Sequence, residues 1–327
     1  MNLNHTNYFD CTFDPGHGDT NKDFFTERDF LGGWTVSERH PIKGLKRRAS
    51  TEILPKNKIY NYKPIMLKEI LNNVLLKYAT DQNVIFLSGG KDSTALAHAM
   101  KELDIPFTAL SLYSDVSPTT EKHIVYQVAK QLGIKVKFYK LNKIPKTHFD
   151  YWIENPYTAK VQALKDLKLD KHTIFTGEIG TGEMQVNQSL QYTAMMGYKP
   201  KELSYWHVNV CGSYRRYNSV VPMYKDSIYQ ECVEHFIKRF EQWDRHPDVL
   251  NRVMFSRLQD EGAYRLFNYG LDDIKWVHPF ADDMFIETCV NIPSTHKGRK
   301  NLYREMYDKL TDIPWRYPKS GLGIPTV

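Results

Sequence analysis

An α/β fold on a mostly parallel sheet is what the 327-residue chain predicts, from three observations. A short apolar run, Val84-Ile85-Phe86-Leu87, leads directly into a glycine turn and then a helical pattern. Such an uninterrupted run reads as a strand buried on both faces. Further apolar segments alternate with helical ones as far as residue 176. Strands alternating with helices form βαβ units, whose right-handed crossovers place every strand C-terminus on one rim. After residue 185 the pattern becomes largely helical.

Taken in order, residues 1–62 are polar, with turns at Asp14-Pro15-Gly16-His17-Gly18-Asp19 and Gly32-Gly33, and short strands are predicted at 34–36 and 59–62. His5, His17 and His40 show no ligand spacing. The basic run 43–48 has no interleaved aromatics, so it reads as a solvated face. Ile65, Leu67, Ile70, Leu71, Val74 and Leu75 recur at helical intervals across 64–78. Leu96, Met100 and Leu103 mark a second helix from Thr94 onward. A strand at 107–112 ends at Tyr113-Ser114-Asp115, and Ile124, Val128 and Leu132 give one face of a helix over 121–132, stopped by Gly133. Strands are predicted at 135–141 and 172–176, with a helix over 158–167 between them. Helices over 224–243, 247–267, 283–290 and 299–310 complete the reading. Asp272-Asp273 and Asp282-Asp283 are better explained by helix N-terminal charge than by metal. The division is an N-terminal extension or linker, 1–62, and a domain over 63–327, with the sheet in 63–184 and a helical part in 185–327.

Two stretches carry chemistry. The first is Ser88-Gly89-Gly90-Lys91-Asp92-Ser93, between a buried strand and a helix. Glycines there allow positive φ and close approach of a ligand. The first N–H groups of a helix lack intrahelical partners and carry its positive dipole end, so the turn suits phosphate. The spacing is neither a Walker loop nor a dinucleotide fingerprint. An aspartate among phosphate contacts implies a cation, and Mg²⁺ takes carboxylate and phosphate oxygens. The second stretch is Thr176-Gly177-Glu178-Ile179-Gly180-Thr181-Gly182-Glu183, at another strand end. Its Glu178 and Glu183 are placed to steer magnesium or accept a proton. The loop at Ser88, the Ser114-Asp115 turn and Gly177-Glu178 are expected to converge on one rim.

Ser88-Gly89-Gly90-Lys91-Asp92-Ser93 resembles the S-G-G-x-D-S PP-loop of the adenine-nucleotide α-hydrolases. That resemblance implies cleavage of ATP between its α and β phosphates. Ser88, Gly89, Gly90 and Ser93 would hold pyrophosphate and Asp92 would face its magnesium. Further motifs narrow the family. Val277-His278-Pro279-Phe280-Ala281-Asp282-Asp283-Met284-Phe285-Ile286-Glu287 resembles the R-V-P-F-L-D-x-x-L-V-E segment of asparagine synthetases. Lys300-Asn301-Leu302-Tyr303-Arg304-Glu305 resembles K-x-x-L-R-E, and Pro318-Lys319-Ser320-Gly321-Leu322-Gly323-Ile324-Pro325 resembles P-K-x-G-F-G-x-P. Thr176-Gly177-Glu178 resembles the opening of T-G-E-G-x-D-E, and Ile42-Lys43-Gly44-Leu45-Lys46-Arg47 resembles the linker before the synthetase domain.

The resemblance implies a PP-loop ATP pyrophosphatase fold and an ATP-dependent amide ligase. A carboxylate attacks the α-phosphate, and ammonia or an amine attacks the acyl-adenylate. Lys319 would supply charge at the developing oxyanion, Glu178 and Gly177 would face the adenylated intermediate, and adenine would lie against the second strand near Leu110 and Leu112. The departures are specific. Asn2 stands where the family's glutaminase cysteine follows Met1, so nitrogen is expected as ammonia, as an amine or from a separate amidotransferase partner. Lys91 replaces a usual leucine. The family's magnesium-binding aspartate has no match by position after a one-residue insertion, and the resemblance implies that Glu183 would substitute for it. Two rivals stay open: a nucleotide- or tRNA-modifying PP-loop enzyme, which shares S-G-G-K-D-S, and a non-catalytic synthetase-like protein.

Composition bounds these readings. The net charge of +6, from 44 basic and 38 acidic residues, suits anionic substrates without requiring nucleic acid. Cys11, Cys211, Cys232 and Cys289 form no C-x-x-C pair, so neither a zinc ribbon nor a disulfide framework is indicated. No apolar run approaches the ~18 residues of a membrane span, and the N-terminus lacks a signal-peptide core. A soluble cytoplasmic protein is expected.

Overall fold

The computed structural model describes residues 63–113, 119–141, 156–178, 273–293, 296–297 and 301–307, with isolated positions at 199, 230–231, 234–235, 237–238 and 241. Helix α1, Pro64–Tyr78, begins with proline at its first helical position, where the absent N–H costs no hydrogen bond. It buries Leu67, Leu71 and Leu75 completely. Strand β1 (Asn83–Phe86) is followed by α2 (Lys91–Glu102), β2 (Thr108–Tyr113), α3 (Thr119–Leu132) and β3 (Val136–Lys140). Then come α4 (Pro156–Asp166), β4 (Thr173–Phe175), β5 (Lys275–Val277), a single 3₁₀ turn (Pro279–Ala281), α5 (Asp283–Asn291) and α6 (Asn301–Met306).

The five strands form one sheet in the order β3-β2-β1-β4-β5. Every described pairing is parallel. The chain steps outward from β1 to β2 and β3, then returns to add β4 on the other side of β1. The β1/β4 boundary is therefore the topological switch point, where loops diverge and open a crevice at the strand C-termini.

The two-sided burial predicted for β1 is present. Ile85 and Leu87 face a core built with α1, α2, α3, α5 and α6, while Val84 and Phe86 face a second core with Ala163, Leu164 and Trp276. Period-two alternation therefore sends neighbouring apolar residues into different layers. Asn83, also buried, is satisfied by the Thr80 amide at 2.9 Å and the Pro106 carbonyl at 2.8 Å.

Two sequence expectations are corrected here and one is met. The helix after the glycine turn begins at Lys91 rather than Thr94, so Lys91, Asp92 and Ser93 are its first turn. The C-terminal portion, read as largely helical, also supplies strand β5. Lys275-Trp276-Val277 is too short for periodicity to reveal and gains its order from pairing with β4. The Asp282 side chain caps α5 by accepting from the amides of Met284 (3.0 Å) and Phe285 (3.4 Å), which is the helix-terminal role expected of it. Residues 1–62, the Ser114-Asp115 turn and the predicted helix 247–267 lie outside the described residues. Among the described residues, no helix is long and apolar enough to cross a membrane.

Trp276 tests the placement of β5. It is 2% exposed and stacks on Phe86 with ring centroids 6.4 Å apart. Trp276→Ala is expected to lower unfolding free energy by about 3–5 kcal/mol in urea titrations. Leu76→Ala, at an exposed position of α1, should stay within about 0.5 kcal/mol.

Candidate functional site

The phosphate-type loop leaves β1 at the switch point. Gly89 adopts φ +73°, a conformation that L side chains rarely take, and a Cβ there would come within 2.8 Å of Ile124. Gly90 does not share this geometry: it is an extended N-cap at φ −71°, ψ 157°. The positive φ expected of the glycine pair is therefore confined to Gly89.

Internal hydrogen bonds fix the loop. Ser93 Oγ receives the Ser88 amide at 3.2 Å and donates to the Gly90 carbonyl at 3.2 Å. Ser88 Oγ receives the Gly90 amide at 3.2 Å. The Gly90 carbonyl also accepts from the Thr94 amide at 3.1 Å and from Thr94 Oγ1 at 2.8 Å. Thr94, which the sequence reading did not single out, thus helps set the turn. Ser93 is buried and Ser88 exposed, so the two serines of the motif occupy different surroundings.

Asp92 lies in the first turn of α2 and is partly buried. The segment after β4 is pressed against it. A Cβ on Gly177 would lie 2.9 Å from Asp92 Cβ and 3.0 Å from the Ser93 amide nitrogen. Glycine is required there because backbone, rather than a movable side-chain tip, occupies the space. The rim convergence inferred from topology is thus realised for the Ser88–Ser93 loop and Gly177-Glu178.

Glu178 forms an ion pair with Lys160 of α4 at 2.7 Å, with both side chains largely shielded. Lys160 Nζ also lies 5.7 Å from the Phe86 ring centroid. Behind this pair, Thr176 Oγ1 receives the Glu178 amide at 3.4 Å and meets His278 Nδ1 at 2.7 Å. His278 follows β5 and is buried. Burial holds its pKa down at about 4; the Glu178 carboxylate opposes this shift and the Lys160 ammonium adds to it. Lys160 had no signal beyond ordinary residue type, and Thr176 and His278 appeared only inside longer motifs.

Lys91 is 1% exposed, and its ammonium lies 5.5 Å from the ring centroid of Tyr303 on α6. The Tyr303 hydroxyl donates to Asp92 Oδ1. On β2, the Leu110 carbonyl accepts the Leu87 amide at 2.8 Å, inside the sheet ladder. Leu112 lies beyond the last β1 pairing and is half-buried. Glu183 and Lys319 lie outside the described residues. Among the described residues, no three His, Cys, Asp or Glu side chains converge on a metal-sized site.

No family model and no curated protein matches the chain. Among solved structures, one likeness is to the U34-tRNA thiolase NcsA from Methanococcus maripaludis with its [4Fe-4S] cluster. It has 16% identity and a TM-score of 0.31, over 74% of this chain and 90% of that one. Another is to the NMN synthetase from Francisella tularensis, at 16% identity and TM-score 0.24, over 72% of this chain and 96% of that one. At these TM-scores neither likeness carries an argument about activity.

The burial of His278 has a pH consequence. Its folded pKa of about 4 lies below the ordinary 6.5. Both states are neutral above pH ~6.5, so its contribution to stability is complete there. As pH falls toward 4, the unfolded chain takes up a proton that the folded chain refuses, and that stability is lost. Urea titrations are expected to show about 2 kcal/mol more loss between pH 7 and pH 5 in the native chain than in His278→Gln.

Proposed function

We propose that the chain is a PP-loop ATP pyrophosphatase, an enzyme that binds Mg-ATP, splits it between the α and β phosphates, and passes AMP to an acceptor. One observation carries this reading. The glycine-led first turn of α2 stands at the sheet's switch point, with Gly177 against Asp92 and the Glu178–Lys160 pair on the same rim. Helix N-terminal amides suit the leaving pyrophosphate. Asp92 offers an oxygen ligand, which fits the magnesium that arrives with ATP. Ser88, Gly89, Gly90 and Ser93 shape the cradle, and adenine is assigned to the β2 end near Leu110 and Leu112.

Two acceptors fit. In the first, a small carboxylate attacks the α-phosphorus and pyrophosphate departs. Ammonia or an amine, free or delivered by a separate amidotransferase, then attacks the acyl-adenylate, releasing AMP and leaving an amide. The resemblance to asparagine synthetases supports this acceptor. The segments carrying that resemblance reach the site through His278 beside Thr176 and Tyr303 on Asp92. Glu178 would face the adenylate, Glu183 would complete the metal site, and Lys319 would offset charge developing at the oxyanion. In the second reading, the acceptor is a nucleotide or tRNA base. The lysine in Ser88-Gly89-Gly90-Lys91-Asp92-Ser93 favours it, because S-G-G-K-D-S is also a loop of tRNA-thiolating relatives.

The decisive measurement is release of AMP and pyrophosphate across a panel of carboxylates with ammonia or amines, beside mass spectrometry of tRNA from cells with and without the protein. Asp92→Asn is expected to abolish AMP release; unchanged release rejects the loop assignment. Lys319→Ala is expected to bind Mg-ATP within a few-fold of the native chain by calorimetry, while turnover falls by roughly 10²–10³.

A further inference from the structure

Three elements converge on Asp92: its own helix α2, the Gly177 backbone after β4, and Tyr303 on α6. Tyr303 is fully buried and packs edge-on to Phe280, with ring centroids 6.5 Å apart. Its ring lies beneath the Lys91 ammonium and its hydroxyl donates to Asp92 Oδ1. One side chain thus contacts two successive residues of the phosphate-type loop.

The phenol suits both tasks. Its face attracts a cation, while its hydroxyl is a donor that a buried tyrosine must use. An ionised carboxylate only accepts, through two oxygens. A hydroxyl on Oδ1 fixes the carboxylate's rotation. Gly177 limits movement from the other side, since its backbone already lies against Asp92 Cβ.

We infer that Tyr303 is a positioning residue for Asp92, setting the carboxylate that receives the nucleotide's magnesium and tying α6 to that site. The inference rests on the Mg-ATP reading above and adds a residue to it. Tyr303 acts through Asp92 and touches no phosphate.

The test is Mg²⁺-dependent ATP binding by the full chain, followed by calorimetry at graded Mg²⁺, for native protein, Tyr303→Phe, Asp92→Asn and the double variant. Tyr303→Phe keeps the ring over Lys91 and removes only the hydroxyl. It is expected to raise the Mg²⁺ concentration for half-maximal ATP binding about tenfold, as for loss of a hydrogen bond to a charged group. In the Asp92→Asn background the same change is expected to add nothing. A lowered melting temperature with an unchanged Mg²⁺ requirement overturns the inference, as does an equal effect in both backgrounds. Asp92→Glu checks the link without altering the core: it keeps the charge but carries the carboxylate past the hydroxyl. A native Mg²⁺ requirement in that variant also overturns the inference. If Asp92→Asn shifts the requirement and Tyr303→Phe does not, only the role of Tyr303 fails. If the native chain binds no Mg-ATP, the functional reading fails and this inference with it.

Discussion

The contact between Gly177 and the first turn of α2 is the constraint around which the rest of the site is arranged. Two strands that are neighbours in the sheet send their loops toward the same crevice, and the backbones meet with no room for a β-carbon. That approach brings a phosphate-type turn and an acidic segment onto one rim. It depends on β1 and β4 pairing in parallel, so that both end at the same level. The flanking layers keep that level: one core packs under Ile85 and Leu87, the other under Val84, Phe86 and Ile174.

Polar groups behind the rim divide the electrostatic work. Lys160 and Glu178 neutralise each other in a shielded place, where an isolated charge is costly. His278 sits deeper and remains uncharged, a hydrogen-bonding partner for Thr176 rather than a third charge. Lys91 is further back, against an aromatic face. Among the described residues, the site thus keeps the ammonium groups of Lys160 and Lys91 away from the surface.

Much of this was legible from residue order. The apolar run at 84–87, the turn after it and the alternation of strands with helices sufficed for the sheet's direction and its common rim, because burial and period are local signals. The position of the fourth strand was not local: nothing in Thr173-Ile174-Phe175 says that it returns to the far side of β1. Strand β5 was hidden for a different reason, since three residues cannot display a period. In the site, Asp92 and Gly177 were visible as motif members. The geometric need for Gly177 emerged only from the facing backbone. Lys160 is distant in sequence from the carboxylate it meets. Tyr303 occupies the leucine position of the K-x-x-L-R-E pattern it resembles, so its hydroxyl had no counterpart to point to it.

The Gly90 carbonyl accepts from the Thr94 amide, the Thr94 hydroxyl and the Ser93 hydroxyl. This makes the loop a one-sided peptide surface. A carbonyl oxygen carries partial negative charge, and any left pointing into the crevice would repel an anion. Here that oxygen is turned inward and engaged, while the Lys91 ammonium is withdrawn from the surface. The attraction that the loop itself offers to an anion therefore comes from fixed peptide dipoles. Dipoles of this kind neither titrate nor swing away on a flexible stem, so the backbone's share of the turn's field stays the same at any pH that leaves the fold intact.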